Sequence, residues 1–364
     1  MKTQRRYTLG RPADRTAKIV SGLRSEIVAG ILSPGMRLPT RVDVERRYEA
    51  SPVTVQRALT QLANEGFVRV DRTLATYVAD SPPHLSRYAI VFPNSPQVGG
   101  QWNLWFASLL RASTIVAEHR GITIEPFFDV DMHTDAASYI HLVDNLQSSR
   151  VAGIIFSVSP YRLQGTPVID YPGVPRVVAM DSELLSCMRR EGEAIDIAMR
   201  MFAESGRRRV AVFANTSKDI RDYVRVILSH GLETRSYWIL PIDLASPQAA
   251  MNVVSLLMSP ENSVHPDAIY IDDDNLTDPV FAGLLGAGIR VPAELDLIAN
   301  TNLPVASKSL VPIRRFGVDA RMVVSRCVDL LDRQRAGSTE CLTANIPYMI
   351  EDELTSDRDV SISR

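Results

Sequence analysis

The chain has 364 residues, 45% hydrophobic and 23% charged, which is the composition of an ordinary soluble protein of two or three domains. No apolar run approaches membrane-spanning length, and the basic, polar start from Met1 to Arg15 lacks the apolar core of a secretory signal. The net charge of −2 is unevenly spread: residues 1–80 carry 14 Lys and Arg against 8 Asp and Glu, a net of +6, which leaves −8 on the remainder. Such a split fits a small basic part that meets a polyanion and a larger acidic part that does not.

In chain order, Thr16 is placed to cap a helix whose apolar positions are Ile19, Leu23, Ile27 and Ile31, with Gly30 near its end. After the turn residues Ser33-Pro34-Gly35, Thr40-x-x-Asp43 reads as a capping box for a second, short helix with Val44 and Tyr48 on its inner side. Ser51 is an N-cap and Pro52 suits the first helical position. Val55, Leu59 and Leu62 then form one buried stripe. The opposite side carries Val53, Thr54, Gln56, Arg57 and Gln61, a mostly polar surface without a carboxylate, of the kind that enters a DNA major groove. Taken alone, the same pattern describes any amphipathic surface helix; its surroundings decide. Phe67–Val70 and Ala75–Val78 alternate as strands around Asp71-Arg72-Thr73-Leu74, so three helices and a two-stranded wing complete a winged helix-turn-helix layout.

Ser81-Pro82-Pro83-His84 reads as a linker stiffened by its prolines. Beyond it the pattern is strand, helix, strand, repeated. Strands are expected at 88–92, 122–128, 151–156 and 176–179, with helices over 103–119 and 135–147. A second series has helices over 193–204 and 319–334, and strands at 209–213, 237–240, 268–271 and 297–299. Apolar runs separated by helices mean parallel sheets covered on both faces. Two such units in tandem give a bilobed α/β protein with a cleft between the lobes.

Gly30-Ile31-Leu32-Ser33-Pro34-Gly35-Met36-Arg37-Leu38-Pro39-Thr40, the Ser51–Leu59 stretch and Leu62-Ala63-Asn64-Glu65-Gly66-Phe67 together resemble the GntR-type DNA-binding domain over about 16–78. Three departures stand out: Pro52 and Gln56 where the family usually has arginine, and a wing tip of Arg72-Thr73-Leu74 in place of glycines. Gln56 suits adenine better than the guanine that arginine favours. Glu204–Phe213, Pro266–Asn275 and, most strongly, Gly288-Ile289-Arg290-Val291-Pro292-Ala293-Glu294-Leu295-Asp296-Leu297-Ile298 resemble the ligand-binding part of LacI-type repressors and periplasmic sugar-binding proteins. The combination is similar to arabinose-repressor-type regulators.

The implied fold is α/β: an N-terminal winged helix-turn-helix (1–80), a linker (81–87) and a bilobed type 1 periplasmic-binding-protein-like domain with two parallel sheets (88–364). By resemblance, Thr54 and Gln56 read base edges with Val53 beside them, Ser51 and Arg57 hold phosphates or flanking bases, and Arg41, Arg72 and Thr73 meet the backbone or minor groove. The resemblance places the ligand against Asn94, Ser95, Gln97, Ser157, Ser159 and Asp181 in the first lobe and Asp273, Asp274, Asn300 and Asn302 in the second. Trp102 either stacks on a sugar ring or packs against the first helix of its lobe. Of Asp272-Asp273-Asp274, some are expected merely to cap the next helix. Where many sugar repressors carry a ligand-binding arginine, this chain has Asp196.

Six scattered histidines and three separated cysteines (Cys187, Cys327, Cys341) form no metal-ligand spacing, and no nucleophile elbow, phosphate loop or dinucleotide glycine motif occurs. No metal, cofactor or catalytic role is expected. The reading is a cytoplasmic, homodimeric transcription regulator, a repressor by resemblance, that binds double-stranded operator DNA and a small-molecule effector such as a sugar or derivative, and has no membrane partner. Its competitors are a solute-binding module without gene control and an α/β enzyme with a regulatory head.

Overall fold

The computed structural model describes residues 12–71, 75–96, 102–131, 134–215, 219–304, 309, 311–338 and 342–352. Helix α1 (Pro12–Val28) turns Ile19, Leu23 and Ile27 to one side, and all three are buried. Ile31 does not join them. It lies past the helix end, 67% exposed, because Gly30 at a φ of 75° has already turned the chain away. Helix α2 (Arg41–Tyr48) opens on the expected capping box, in which the Thr40 hydroxyl and the Asp43 carboxylate each accept from the other's backbone amide. Helix α3 (Pro52–Asn64) is capped by Ser51 and buries Val55, Ala58, Leu59 and Leu62. Strands β1 (Val68–Val70) and β2 (Thr76–Val78) pair antiparallel, Val68 opposite Val78, and close a core shared by the three helices and the wing.

The proline pair that reads as a stiff linker starts a helical turn instead. Pro82 precedes α4 (Pro83–Ser86), and both prolines are buried. The turn forms because proline at the first helical position sacrifices no hydrogen bond and because it has a surface to cover. The His84 ring stacks on Phe67 (centroids 6.1 Å apart, planes at 11°), and a Cβ at Gly66 would lie 3.4 Å from the Pro83 ring.

Strand β3 (Arg87–Val91) then begins, followed by α5 (Leu104–Arg120), β4 (Thr123–Phe127), α6 (Ala137–Gln147), β5 (Gly153–Phe156), α7 (Pro167–Asp170), β6 (Arg176–Val178) and β7 (Ser186–Arg190). The second series is α8 (Ala194–Glu204), β8 (Val210–Asn215), α9 (Ile220–Ser229), β9 (Ile239–Ile242), α10 (Ala249–Leu257), β10 (Ala268–Ile271), α11 (Thr277–Gly286), β11 (Asp296–Leu303), β12 (Arg314–Asp319), α12 (Ala320–Arg335), β13 (Thr343–Ile346) and β14 (Met349–Ile350). Two six-stranded sheets result, ordered β13-β7-β6-β5-β3-β4 and β14-β12-β11-β10-β8-β9. In the first, β3 pairs parallel with β4 and β5; in the second, β8, β9, β10, β11 and β12 are parallel and only β14 is antiparallel.

The chain divides into two compact units, one of 1–94, 117–177 and 328–340 and one of 95–116, 178–327 and 341–364. Within the second, strand alternation sorts the core. Phe213, Ile269, Ile271 and Leu297 face α10 and α11, while Val212, Tyr270, Ile298 and Phe316 face α8 and α9. The strand expected at 237–240 starts later: Tyr237 and Trp238 lie in a 3₁₀ turn, whose Trp238 amide bonds back to the Arg235 carbonyl at 2.8 Å.

Candidate nucleic-acid interface and ligand-binding residues

The packed stripe of α3 dictates what its other side presents. With Val55, Ala58, Leu59 and Leu62 inside, Ser51, Val53, Gln56 and Arg57 are exposed and Thr54 is half-buried. Ser51 Oγ accepts from the Thr54 amide at 3.3 Å and lies 2.9 Å from Thr54 Oγ1, so the cap also orients the hydroxyl next to it. Gln56 Nε2 donates to Thr60 Oγ1 at 3.2 Å, along the helix. Val53, 60% exposed, offers an apolar contact of the kind a thymine methyl takes. Arg41, exposed at the start of α2, lines a groove with Arg37, Thr40, Val70 and Thr76 that runs to the wing. Arg72 and Thr73 lie outside the described residues.

The strand ends of the second unit collect a different set. Asp272 is buried and accepts from the Tyr223 and Tyr270 hydroxyls, each at 2.5 Å; burial and this carboxylate push both phenols up in pKa. Asp273 caps the short turn that follows, taking the Asn275 amide at 3.0 Å, the Asn275 side chain at 2.7 Å and Asn215 Nδ2 at 3.2 Å. Asp274 accepts from Asn302 twice, from the amide at 3.0 Å and from Nδ2 at 2.9 Å. Burial raises the Asp274 pKa to about 6, against the lowering effect of the Asn302 amide. Asn300 Nδ2 donates to the Asp272 carbonyl at 3.3 Å. Four of the expected residues (Asp273, Asp274, Asn300 and Asn302) therefore meet at the C-terminal ends of β10 and β11, where ligands bind in open α/β sheets.

In the first unit Asn94 is exposed after β3, Ser157 is buried directly after β5, and Ser159 lines a hollow with Pro93, Asp131, Phe156, Tyr161 and Arg162. Ser95 and Trp102 belong to the second unit and are half-buried. The Trp102 ring packs on Phe106 of α5, centroids 5.8 Å apart, which is the packing alternative. Asp181, also in the second unit, is exposed and faces Arg189 at 3.5 Å. Gln97 lies outside the described residues. Asp196 has a partner of its own, Nε2 of His230 at 2.9 Å, the residue that ends α9. Among the described residues no group of three His, Cys, Asp or Glu is close enough to hold a metal ion, and no helix is long and apolar enough to cross a membrane.

Comparison with known proteins matches each part. The family model for bacterial regulatory proteins of the gntR family covers residues 15–78, and the periplasmic binding protein-like domain covers 199–341. The chain joins a GntR-type winged helix-turn-helix to a periplasmic-binding-protein-like fold. Catabolite control protein A of Priestia megaterium is 26% identical over 206 residues, 51% of this chain, and the match spans 61% of that protein's length. A regulatory protein of the LacI family from Chloroflexus aggregans superposes with a TM-score of 0.58 at 16% identity over 72% of this chain and 96% of its own. A LacI family transcriptional regulator from Enterococcus faecium, solved with bound ribose, does so at 0.54, with 15% identity, over 73% and 96%.

Within this frame, sequence reasoning missed Asn215 and Asn275 at the strand ends of the second sheet and Asp131, Tyr161 and Arg162 at those of the first. Asn215 and Asn275 sit at strand ends, a signal that was present. Arg162 donates to Asp131 at 2.9 Å across 31 residues, a pairing that only the fold creates.

Proposed function

We propose that this chain is a cytoplasmic, ligand-responsive transcription regulator that acts as a repressor and as a homodimer. Its reader is residues 1–80, joined by residues 81–87 to a sensor of residues 88–364. Thr54 and Gln56 read base edges, Val53 meets a thymine methyl, Ser51, Arg57 and Arg41 hold the backbone, and Arg72 and Thr73 extend the contact from the wing. One observation carries this reading: α3 ends its capped, carboxylate-free polar face in solvent on a chain whose remainder has a ligand-sensing fold.

For the effector, the cluster of Asp273, Asp274, Asn300 and Asn302 supports a polyhydroxyl molecule. Carboxylates and amides supply paired acceptors and donors for vicinal hydroxyls, and the ribose bound by the LacI relative from Enterococcus faecium points to the same class. A ligand that prefers one pose of the reader shifts operator affinity by its difference in affinity for the two poses. The test is a thermal-shift screen of pentoses, hexoses and their phosphates on the full chain, then gel retardation of its own upstream DNA with each hit. A hit that raises the melting temperature, changes retardation and loses both effects in Asp274→Ala supports the reading. Hits that act equally on Asp274→Ala remove that residue from the site.

A further inference from the structure

Part of the exposed side of α3 faces protein. Gln56, Arg57, Thr60 and Gln61 form one wall of an open hollow, and Arg87 at the start of β3 and Arg150 after α6 form the other, all within the first unit. The only carboxylate in the lining, Glu65, is already engaged by Arg24 at 2.5 Å and Gln61 at 2.9 Å. Arg150 gives one terminal nitrogen to Asp144, while its Nε is buried without an acceptor. Among the described residues neither Arg57 nor Arg87 has a carboxylate partner.

The guanidinium groups of Arg57 and Arg87 line one hollow with no carboxylate partner among the described residues, and their like charges repel unless an anion enters. Guanidinium forks match phosphate oxygens in particular. The hollow is continuous with the surface that meets bases, since Gln56 and Arg57 belong to both. Arg87 is held at this distance by α4, whose His84 and Pro83 are packed on Phe67 and Gly66. We propose that Arg87 and Arg150 carry the DNA footprint beyond the winged helix onto the first sheet's unit, where they hold phosphodiester oxygens of the strand flanking the groove that α3 enters. The inference rests on the reading that α3 lies against DNA. It gives the ligand-sensing fold a direct grip on the duplex.

The test is fluorescence anisotropy of the full chain on a duplex of unrelated sequence across a salt series, because phosphate contacts act on every sequence alike. Arg87→Gln should weaken binding by a similar factor on all duplexes and flatten the log–log salt slope by about one; adding Arg150→Gln should flatten it by about two. Arg150 also holds Asp144, so Arg87→Gln, which breaks no pair, keeps the test valid if the double variant unfolds. An unchanged slope in Arg87→Gln overturns the proposal. If Thr54→Ala with Gln56→Ala still abolishes sequence preference, the α3 reading survives that result; if it does not, both fail. Tighter DNA binding by Arg87→Gln would mean the hollow restrains the reader, and it overturns the proposal. Stabilisation of wild type but not Arg87→Gln by inorganic phosphate, with an unchanged salt slope, would make the hollow a free-anion site and likewise overturns it.

Discussion

The exposed face of α3 is polar and free of carboxylates, whereas the strand-end cluster of the second unit is built of aspartates and asparagines, and the two use their polar atoms in opposite ways. On α3 the groups are exposed, and among the described residues Arg57 has no carboxylate partner and the Gln56 side chain donates to its helix neighbour Thr60. At the strand ends every candidate already has a partner, with Asp274 held by Asn302 and Asp273 by Asn275 and Asn215. A surface that must match many base edges keeps its donors and acceptors open. A pocket for one small molecule holds its groups in place beforehand, and the ligand exchanges hydrogen bonds instead of adding them, so each nets only about 1 kcal/mol.

The contrast predicts separable failures. Leu62→Ala empties the winged-helix core at a fully buried position and should cost about 2–5 kcal/mol. Urea unfolding should lose its reader transition while an effector still shifts the melting temperature of the rest. Joint loss would mean the two cores are one cooperative unit.

Acid separates the regions by sign. Burial, with Arg335 adding to it, lowers the His84 pKa to about 4 from its usual 6.5. The neutral ring is therefore the folded form, and His84 gives stability above about 6.5 that is lost as pH falls through about 4. Asp274 runs the other way. Its raised pKa of about 6 means the fold prefers the protonated acid, so that contribution is complete below the ordinary 3.8 and lost as pH rises through about 6. Melting temperatures from pH 4 to 7 should show less acid loss in His84→Phe, which keeps the stack on Phe67, and a gain near neutral pH in Asp274→Asn. Parallel profiles for both variants would contradict the assignment. The smallest effect belongs to Ser51→Ala, which removes the cap of α3 and should cost about 1 kcal/mol by thermal melting.

The reader was legible in the sequence because its signals are local. Capping at Thr40 and Ser51 and the 3.6-residue spacing of Val55, Leu59 and Leu62 act within one or two turns. Ile31 was misplaced because Gly30 breaks the helix before that turn is completed. The helical turn at 83–86 was not foreseen because the stack of His84 on Phe67 is a tertiary contact with no local trace. In the α/β region the apolar runs located β3, β5, β8 and β10. Strands β7 and β12 were missed: SCMRR and RRFGVD carry arginines that read as surface, although Arg315 is buried and paired with Glu351 at 3.1 Å. That one of the three consecutive aspartates caps the following turn was expected, but which one was not. Asp273 caps through Asn275 two residues on, but the contacts of Asp272 with Tyr223, Asp273 with Asn215 and Asp274 with Asn302 reach side chains 28 to 58 residues away.

The central claim, that the solvent-facing side of α3 reads sequence, is tested most directly by exchanging its one amide reader. Selection of the full chain on a random duplex library, wild type beside Gln56→Arg, should give two motifs that differ at one base pair per bound reader, adenine in the first and guanine in the second. Identical motifs from the two proteins would contradict the claim.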